Sequence, residues 1–267
     1  MNNIDIEATS LTAINHYAFY NCNKLTNLDL PDTIKTIGNY AFYGCTSLNY
    51  AGQKVRISDI PAIPTIPYNN TYLCFTAEKA GSTIKMAKNT SSAPTVYLET
   101  SPTSEEGSWT EFFVHTSSTS TDGTTITLAD VGDKVYFRAK QDNLRFATSE
   151  SNYNKFVMTG KIAASGNLNT LLKADGSVLD LTGRDYCYSN MFYYCTSLTQ
   201  APELLATTLA TYCYYRMFYY CTSLTQAPEL PATTLATYCY RSMFTDCTSL
   251  TQAPELPVLY LVDYCYY

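Results

Sequence analysis

The pattern of apolar and polar positions divides the chain into two kinds of sequence. A segment at each end repeats its apolar positions at a fixed interval, which is 23 residues near the N-terminus and 26 residues near the C-terminus. The N-terminal positions are Leu11, Ile14, Phe19, Cys22 and Leu25, which return as Ile34, Ile37, Phe42, Cys45 and Leu48. The C-terminal positions are Cys187, Met191, Phe192, Cys195 and Leu198, which return at Cys213 and again at Cys239, each with its neighbours. This recurrence predicts stacked repeats, because a unit of such length buries its apolar face only against a neighbouring copy.

The C-terminal unit predicts its own local structure. We interpret CTSLTQAP as a turn followed by a strand, with Leu198, Leu224 and Leu250 pointing inward. The preceding segment, TLATYCYYRMFYY, is interpreted as a short helix or 3₁₀ turn that closes the core from the other side. Like residues then form rows along the stack, about 4.8 Å apart, because that is the spacing of paired strands.

The middle of the chain alternates as β-strands do. Val135, Phe137 and Ala139 alternate with larger polar side chains, and short Gly- and Asp-containing turns separate this run from others. Many short strands with such turns favour an antiparallel β-sandwich. We interpret Trp109 within it as a core or hairpin anchor rather than a ligand platform.

The motifs LPDTI and IGNYAFYGCTSL resemble the leucine-rich repeats of BspA-like bacterial surface proteins, and the MFYYCTSLTQAPEL units resemble a sister repeat. The resemblance covers roughly residues 10–50 and 180–267. It implies repeat coils at both ends and, for function, adhesion at an extracellular or bacterial cell surface. The middle segment loosely resembles the small sandwich domains of surface and phage-encoded proteins.

The predicted fold class is therefore mixed, with leucine-rich-repeat coils flanking an Ig-like antiparallel β-sandwich. The predicted organisation is two N-terminal repeats in 1–54, a proline-rich linker in 55–70, a sandwich in 71–164, a cap segment in 165–185, and three repeats with a partial fourth in 186–267. The linker repeats Pro every third residue, which is typical of an extended spacer.

Composition and charge narrow the classes of protein. The chain is 46% apolar with a net charge of −6, which excludes wholesale disorder. We expect no nucleic-acid partner because there is no basic run, and no membrane insertion because no apolar stretch approaches about 20 residues.

The start lacks a secretory signal pattern, which leaves a virion component open as an alternative. The last repeat has no polar cap, so we expect further chain or a second copy to cover it.

The side chains offer little for catalysis. His16 and His115 lie in unrelated segments, and no nucleophile elbow, phosphate loop or dinucleotide motif is present. Seven of the ten cysteines form two in-phase rows whose spacing fits no zinc pattern, so we expect buried thiols, with disulfides between row neighbours left open. We predict no enzyme activity, cofactor or metal, and a hydrolase is the weakest alternative.

Tyrosine is the strongest functional signal, since 15 of 25 tyrosines lie in residues 186–267. The pairs at 189–190, 193–194 and their equivalents differ between copies, which predicts that they face solvent. Rigid aromatic side chains with a polar tip suit recognition. The candidate binding residues are Tyr193, Tyr194, Tyr215, Arg216, Tyr219 and Tyr220. We predict a non-enzymatic protein that binds a protein or glycan on a host or neighbouring surface, although these side chains could instead merely cover the stack.

Overall fold

A computed structural model of the chain describes residues 72–254 and 261–266, together with 3–5, 13–14, 18–19, 22, 24–29, 33, 36–37, 41–42 and 45. The chain forms two compact units, residues 1–69 and 70–267. The predicted linker, 55–70, lies outside the described residues.

The N-terminal unit contains short parallel strand pairs. Its strands are β1 (Asn3–Asp5), β2 (Ala13–Ile14), β3 (Asn27–Asp29) and β4 (Thr36–Ile37). β1 pairs with β3 and β2 pairs with β4, so that Ile14 lies opposite Ile37 as the 23-residue spacing predicts. Phe19 stacks on Phe42 with ring centroids 5.1 Å apart. Equivalent residues of the two copies are therefore in contact.

The second unit opens with antiparallel strands. These are β5 (Leu73–Ala77), β6 (Ser82–Lys88), β7 (Leu98–Ser101), β8 (Thr110–Phe112), β9 (Thr125–Leu128), β10 (Lys134–Ala139), β11 (Asn154–Thr159) and β12 (Ile162–Ser165). A further strand, β13 (Leu198–Gln200), follows later in the chain. One sheet has the order β13-β12-β5-β10-β7-β8 and another has the order β11-β6-β9. The alternating pattern places one face of each sheet inward. Phe75 and Phe137 of the first sheet meet Phe156 of the second in a shared core.

The C-terminal repeats share that core. β13 belongs to the first of these repeats and pairs in parallel with β12, where Ile162 lies opposite Leu198. Phe156 stacks on Phe192 at 5.3 Å. Between β12 and β13 in the chain, a 3₁₀ turn spans Leu168–Leu171. The side chain of Asn167 caps this turn by accepting a hydrogen bond from the backbone N–H of Asn169. The sheets and the repeats are thus one packed body.

The repeats are built from consecutive turns, and the expectation of a short helix is wrong. No α-helix occurs in residues 72–254 or 261–266. Instead, every fourth residue has a positive φ: Tyr186, Asn190 and Tyr194, then Tyr212, Arg216 and Tyr220, then Tyr238, Ser242 and Asp246, then Tyr264. A left-handed residue at each fourth position ends any helical turn before a second can form.

Backbone hydrogen bonds alternate along this segment. Tyr214 and Phe218 donate their N–H groups to Cys239 and Met243 of the next copy, at 2.9 and 3.0 Å. Met217, which directly precedes Phe218, donates to the carbonyl three residues earlier in its own copy. N–H groups that bond within a copy therefore alternate with N–H groups that bond to the next copy, a pattern that differs from the continuous i→i−4 bonds of an α-helix.

Equivalent inward rings form two columns along the stack. In one, Phe156, Phe192, Phe218 and Phe244 lie on one another; in the other, Phe146, Tyr188, Tyr214, Tyr240 and Tyr266 do. Successive centroids are between 5.1 and 6.1 Å apart. Each column begins with a residue from the segment that precedes the repeats, so that segment provides the first layer of the stack.

The recurring leucines and cysteines also point inward, but the strand predicted at each leucine forms only in the first copy. Leu198 lies in a strand, whereas Leu224 and Leu250 of the later copies do not. Leu224 is buried and Leu250 is half-buried. All ten cysteines are described and all are free thiols. Burial raises the pKa of Cys187 and Cys195 to about 12.

Candidate binding surface

Four tyrosines form a two-by-two cluster on the outside of the repeats. Tyr194 stacks on Tyr220 at 4.6 Å, and Tyr193 stacks on Tyr219 at 5.3 Å. Tyr193 and Tyr194 are neighbours in the chain, and their centroids are 4.7 Å apart. We call Tyr193, Tyr194, Tyr219 and Tyr220 the tyrosine surface.

The 26-residue spacing and the turn geometry position these rings. Tyr194 and Tyr220 take positive φ values of 62° and 60°, which turn both side chains outward at the same point of successive copies. They are 49% and 38% exposed, while Tyr193 and Tyr219 are half-buried. Because each ring packs on its equivalent, the cluster is held in place before any ligand binds.

The cluster ends at the third repeat, where Thr245 and Asp246 occupy the equivalent positions. Partial burial, assisted by the Asp246 carboxylate, raises the pKa of Tyr219. Partial burial and the neighbouring tyrosines raise the pKa of Tyr194. The hydroxyl groups of Tyr194 and Tyr219 are therefore neutral near pH 7.

Two cations lie close to the half-buried rings of the tyrosine surface. The Lys155 ammonium lies 5.3 Å from the centroid of Tyr193, and the Arg216 guanidinium carbon lies 5.5 Å from that of Tyr219. Both separations fall within the range of cation–π attraction. Lys155 comes from β11, so the sheet contributes to the surface, and no motif in the sequence connects it to the repeats. Burial lowers its pKa.

Tyr215 does not face solvent, which corrects the prediction for this residue. Its side chain is 1% exposed, and its hydroxyl donates to Glu150 at 3.0 Å. The Arg216 guanidinium carbon lies 4.8 Å above its ring, and Tyr212 packs edge-on against it at 5.5 Å. The Tyr215 ring therefore packs against the Arg216 guanidinium and holds it in place. The prediction of exposure from variation between copies is also wrong for the equivalent pair of the first copy, since Ser189 and Asn190 are 0% and 2% exposed.

The remaining candidate residues have structural contacts. His115 is buried and lies 2.9 Å from the Ser120 carbonyl and 3.1 Å from the Thr125 hydroxyl. Trp109 directly precedes β8, and the Arg138 guanidinium covers its ring at 4.2 Å.

Within the described residues, no group of three or more His, Cys, Asp or Glu could hold a metal ion. In the same part of the chain, no helix is long and apolar enough to cross a membrane.

A protein-family model, that of the BspA type leucine rich repeat region, matches residues 1–79 and 183–257, in six copies. The two matched stretches cover more than half of the chain. No curated protein and no solved structure matches the chain. The second stretch includes all four residues of the tyrosine surface.

Proposed function

Since the chain belongs to the BspA-type leucine-rich repeat family, whose members are generally surface adhesion and binding proteins, we propose that it is a non-enzymatic binding protein acting outside the cell. It presents the tyrosine surface to a protein or glycan on a host or neighbouring surface. The observation that carries the proposal is the ordered stacking of Tyr194 on Tyr220, both exposed and fixed by the repeat.

Preorganised rings favour binding for an energetic reason. A side chain that is already held in one rotamer loses little entropy when a ligand contacts it. Aromatic residues with hydroxyl tips also combine apolar contact with hydrogen bonding. The two stacked pairs therefore offer contact area at a small entropic cost.

The finer architecture belongs to the same proposal. We take residues 71–164 to be an Ig-like sandwich and 186–267 to be a repeat solenoid, joined by the cap segment 165–185. In this arrangement the sandwich holds the first repeat rigidly, and β11 brings Lys155 to the edge of the tyrosine surface.

The test compares two variants of the full chain. Tyr194→Ala combined with Tyr220→Ala removes the exposed stack, while Tyr97→Ala removes a tyrosine of similar exposure, 42%, elsewhere on the molecule. Fluorescently labelled proteins are added to intact bacterial and host cells and to protein and glycan arrays. We expect the double variant to lose at least tenfold in binding and the control to bind as the unsubstituted chain does.

Equal binding by the double variant, with its near-ultraviolet circular dichroism unchanged outside the missing rings, would overturn the role of the surface. Mass spectrometry of purified phage particles and of intact cell surfaces separates the virion alternative from the adhesion protein. Recovery of the chain only from particles would replace extracellular adhesion with a structural role in a virion.

A further inference from the structure

We propose that Arg216 and Lys155, together with the Tyr193–Tyr219 stack, bind the carboxylate of an acidic saccharide. This inference rests on the proposed function and adds the chemical class of the ligand. The tyrosine rings would contact the sugar, and the two cations would hold its acid group.

The two cations border the same pair of rings. The Lys155 ammonium lies 5.3 Å from the Tyr193 centroid, the Arg216 guanidinium carbon lies 5.5 Å from the Tyr219 centroid, and these two rings are 5.3 Å apart. Two acidic residues also contact this group of side chains: Asp246 interacts with Tyr219, and Glu150 accepts a hydrogen bond from Tyr215. A carboxylate is therefore favoured on the Lys155 side of the cluster and disfavoured at Asp246.

Neither cation has an ion pair among the described residues. In addition, the Nε atom of Arg216 is buried and has no hydrogen-bond partner. A buried donor without a partner is costly, and a guanidinium offers a planar set of donors that fits a carboxylate. The ring of Tyr215 holds the guanidinium in place, 4.8 Å away. Arg216 is thus held in place by the Tyr215 ring, and its guanidinium makes no ion pair with a described residue.

The backbone favours a saccharide over a peptide. The N–H groups of Tyr193, Tyr194, Tyr219 and Tyr220 all donate to carbonyl groups of the same or the next copy. An extended peptide that binds by adding a strand needs unpaired backbone groups, and these residues leave it no free donor. Ligand contacts must then come from rings, hydroxyl groups and cations. Saccharide hydroxyl groups and a carboxylate match that set.

The experiment uses the full chain and an array of saccharides that end in sialic acid, glucuronate or galacturonate, each printed beside its methyl ester. Isothermal titration with a galacturonate trimer and its methyl ester gives the affinities. The ester keeps the sugar and removes the charge. A hexaglutamate peptide tests the other class of acidic ligand. The variants are Arg216→Gln, Lys155→Gln and the control Lys79→Gln, which removes an exposed cation from the β5–β6 turn.

We expect the acid form to bind at least tenfold more tightly than its ester, and this preference to shrink with added salt. Arg216→Gln and Lys155→Gln should each weaken binding of the acid about tenfold or more and leave the ester unchanged. Lys79→Gln should have no effect.

Equal binding of acid and ester, unchanged binding by Arg216→Gln, no binding of any acidic saccharide, or tighter binding of hexaglutamate would each overturn the inference. Failure of this inference can be distinguished from failure of the proposed function. If the Tyr194/Tyr220 double variant loses cell binding while Arg216→Gln keeps it, the tyrosine surface stands and the carboxylate site falls.

Discussion

The thiol of Cys195 lies 3.2 Å from the carbonyl oxygen of Phe156 and donates to it, so a residue of a repeat bonds to a residue of a sheet. Cys221 makes the same bond to Phe192 of the preceding copy at 3.1 Å, and Cys45 makes it to Phe19 in the N-terminal unit at 3.0 Å. Phe156 therefore occupies the place of a preceding repeat. β11 packs against the first C-terminal copy as a preceding copy would.

Phe156→Ala should destabilise the sheets and the repeats together. A buried Phe-to-Ala truncation costs about 3–5 kcal/mol. We expect one unfolding transition for residues 72–254, shifted to lower denaturant. Fluorescence of Trp109, the only Trp in the chain, reports on the sheets, and near-ultraviolet circular dichroism of tyrosine reports on the repeats.

The control for this variant is Phe244→Ala, which removes a half-buried ring from the far end of the same column. Its cost should be smaller, because less apolar area is lost. Separate midpoints for the two probes in the unsubstituted chain would contradict the shared core.

Leu224→Ala should cost about 2–5 kcal/mol, as truncation of a buried leucine does. Leu250→Ala, at the equivalent position of the next copy, should cost less because Leu250 is only half-buried. Urea denaturation measures both. Equal costs for the two variants would mean that the inward direction of the leucine row is wrongly assigned.

The repeat length carried most of the information that could be obtained from the sequence. The spacing of 26 residues correctly places Tyr186 on Tyr212 and Phe192 on Phe218, because identical side chains at identical positions favour the same contact in every copy. The local conformation was predicted as a short helix or 3₁₀ turn, and the helix is wrong because the segment consists of consecutive turns. Sequence gives no direct sign of the positive φ at Tyr212, since tyrosine rarely adopts it.

The left-handed positions predict a difference between glycine and β-branched substitutions. Ser242 has a φ of 54°, so Ser242→Val should cost about 1–2 kcal/mol and Ser242→Gly much less. Thr245→Val is the matched control, because Thr245 is exposed and is not one of the residues with positive φ. Thermal unfolding reports the order of stability. A stable Ser242→Val protein would contradict the turn geometry.

Alkaline pH should unfold the protein cooperatively. Burial raises the pKa of Tyr153 to about 12, and it also raises the pKa of Tyr188, Tyr214 and Tyr240. Their unfolded values lie near 10, so the unfolded chain loses these protons first. The stability from these groups is complete below about pH 10 and falls as pH rises above it.

Tyrosinate absorbance measures this effect. The exposed tyrosines should ionise first, and the buried ones should ionise together with the loss of circular dichroism. If all tyrosines titrated near pH 10 in a chain that stayed folded, the columns of buried rings would be wrong.

The binding surface was only partly predictable. Variation between copies identified Tyr194 and Tyr220, because outward positions are free to change. It also included Tyr215, whose ring is covered by Arg216 and bonded to Glu150. Lys155 could not be found at all, since its place beside Tyr193 follows from the packing of β11 on the first repeat.

The cysteines that bond each copy to the preceding layer, Cys195, Cys221 and Cys247, recur unchanged, whereas the pairs at 193–194, 219–220 and 245–246 read YY, YY and TD. A whole unit could therefore be duplicated or deleted while every surviving copy keeps its alternating amide bonds and its thiol–carbonyl contact. The number of repeats and the side chains on their outer surface can therefore change independently in such a chain. The architecture is modular, and the outer surface changes at positions such as 193–194, 219–220 and 245–246, whose side chains are partly or fully exposed.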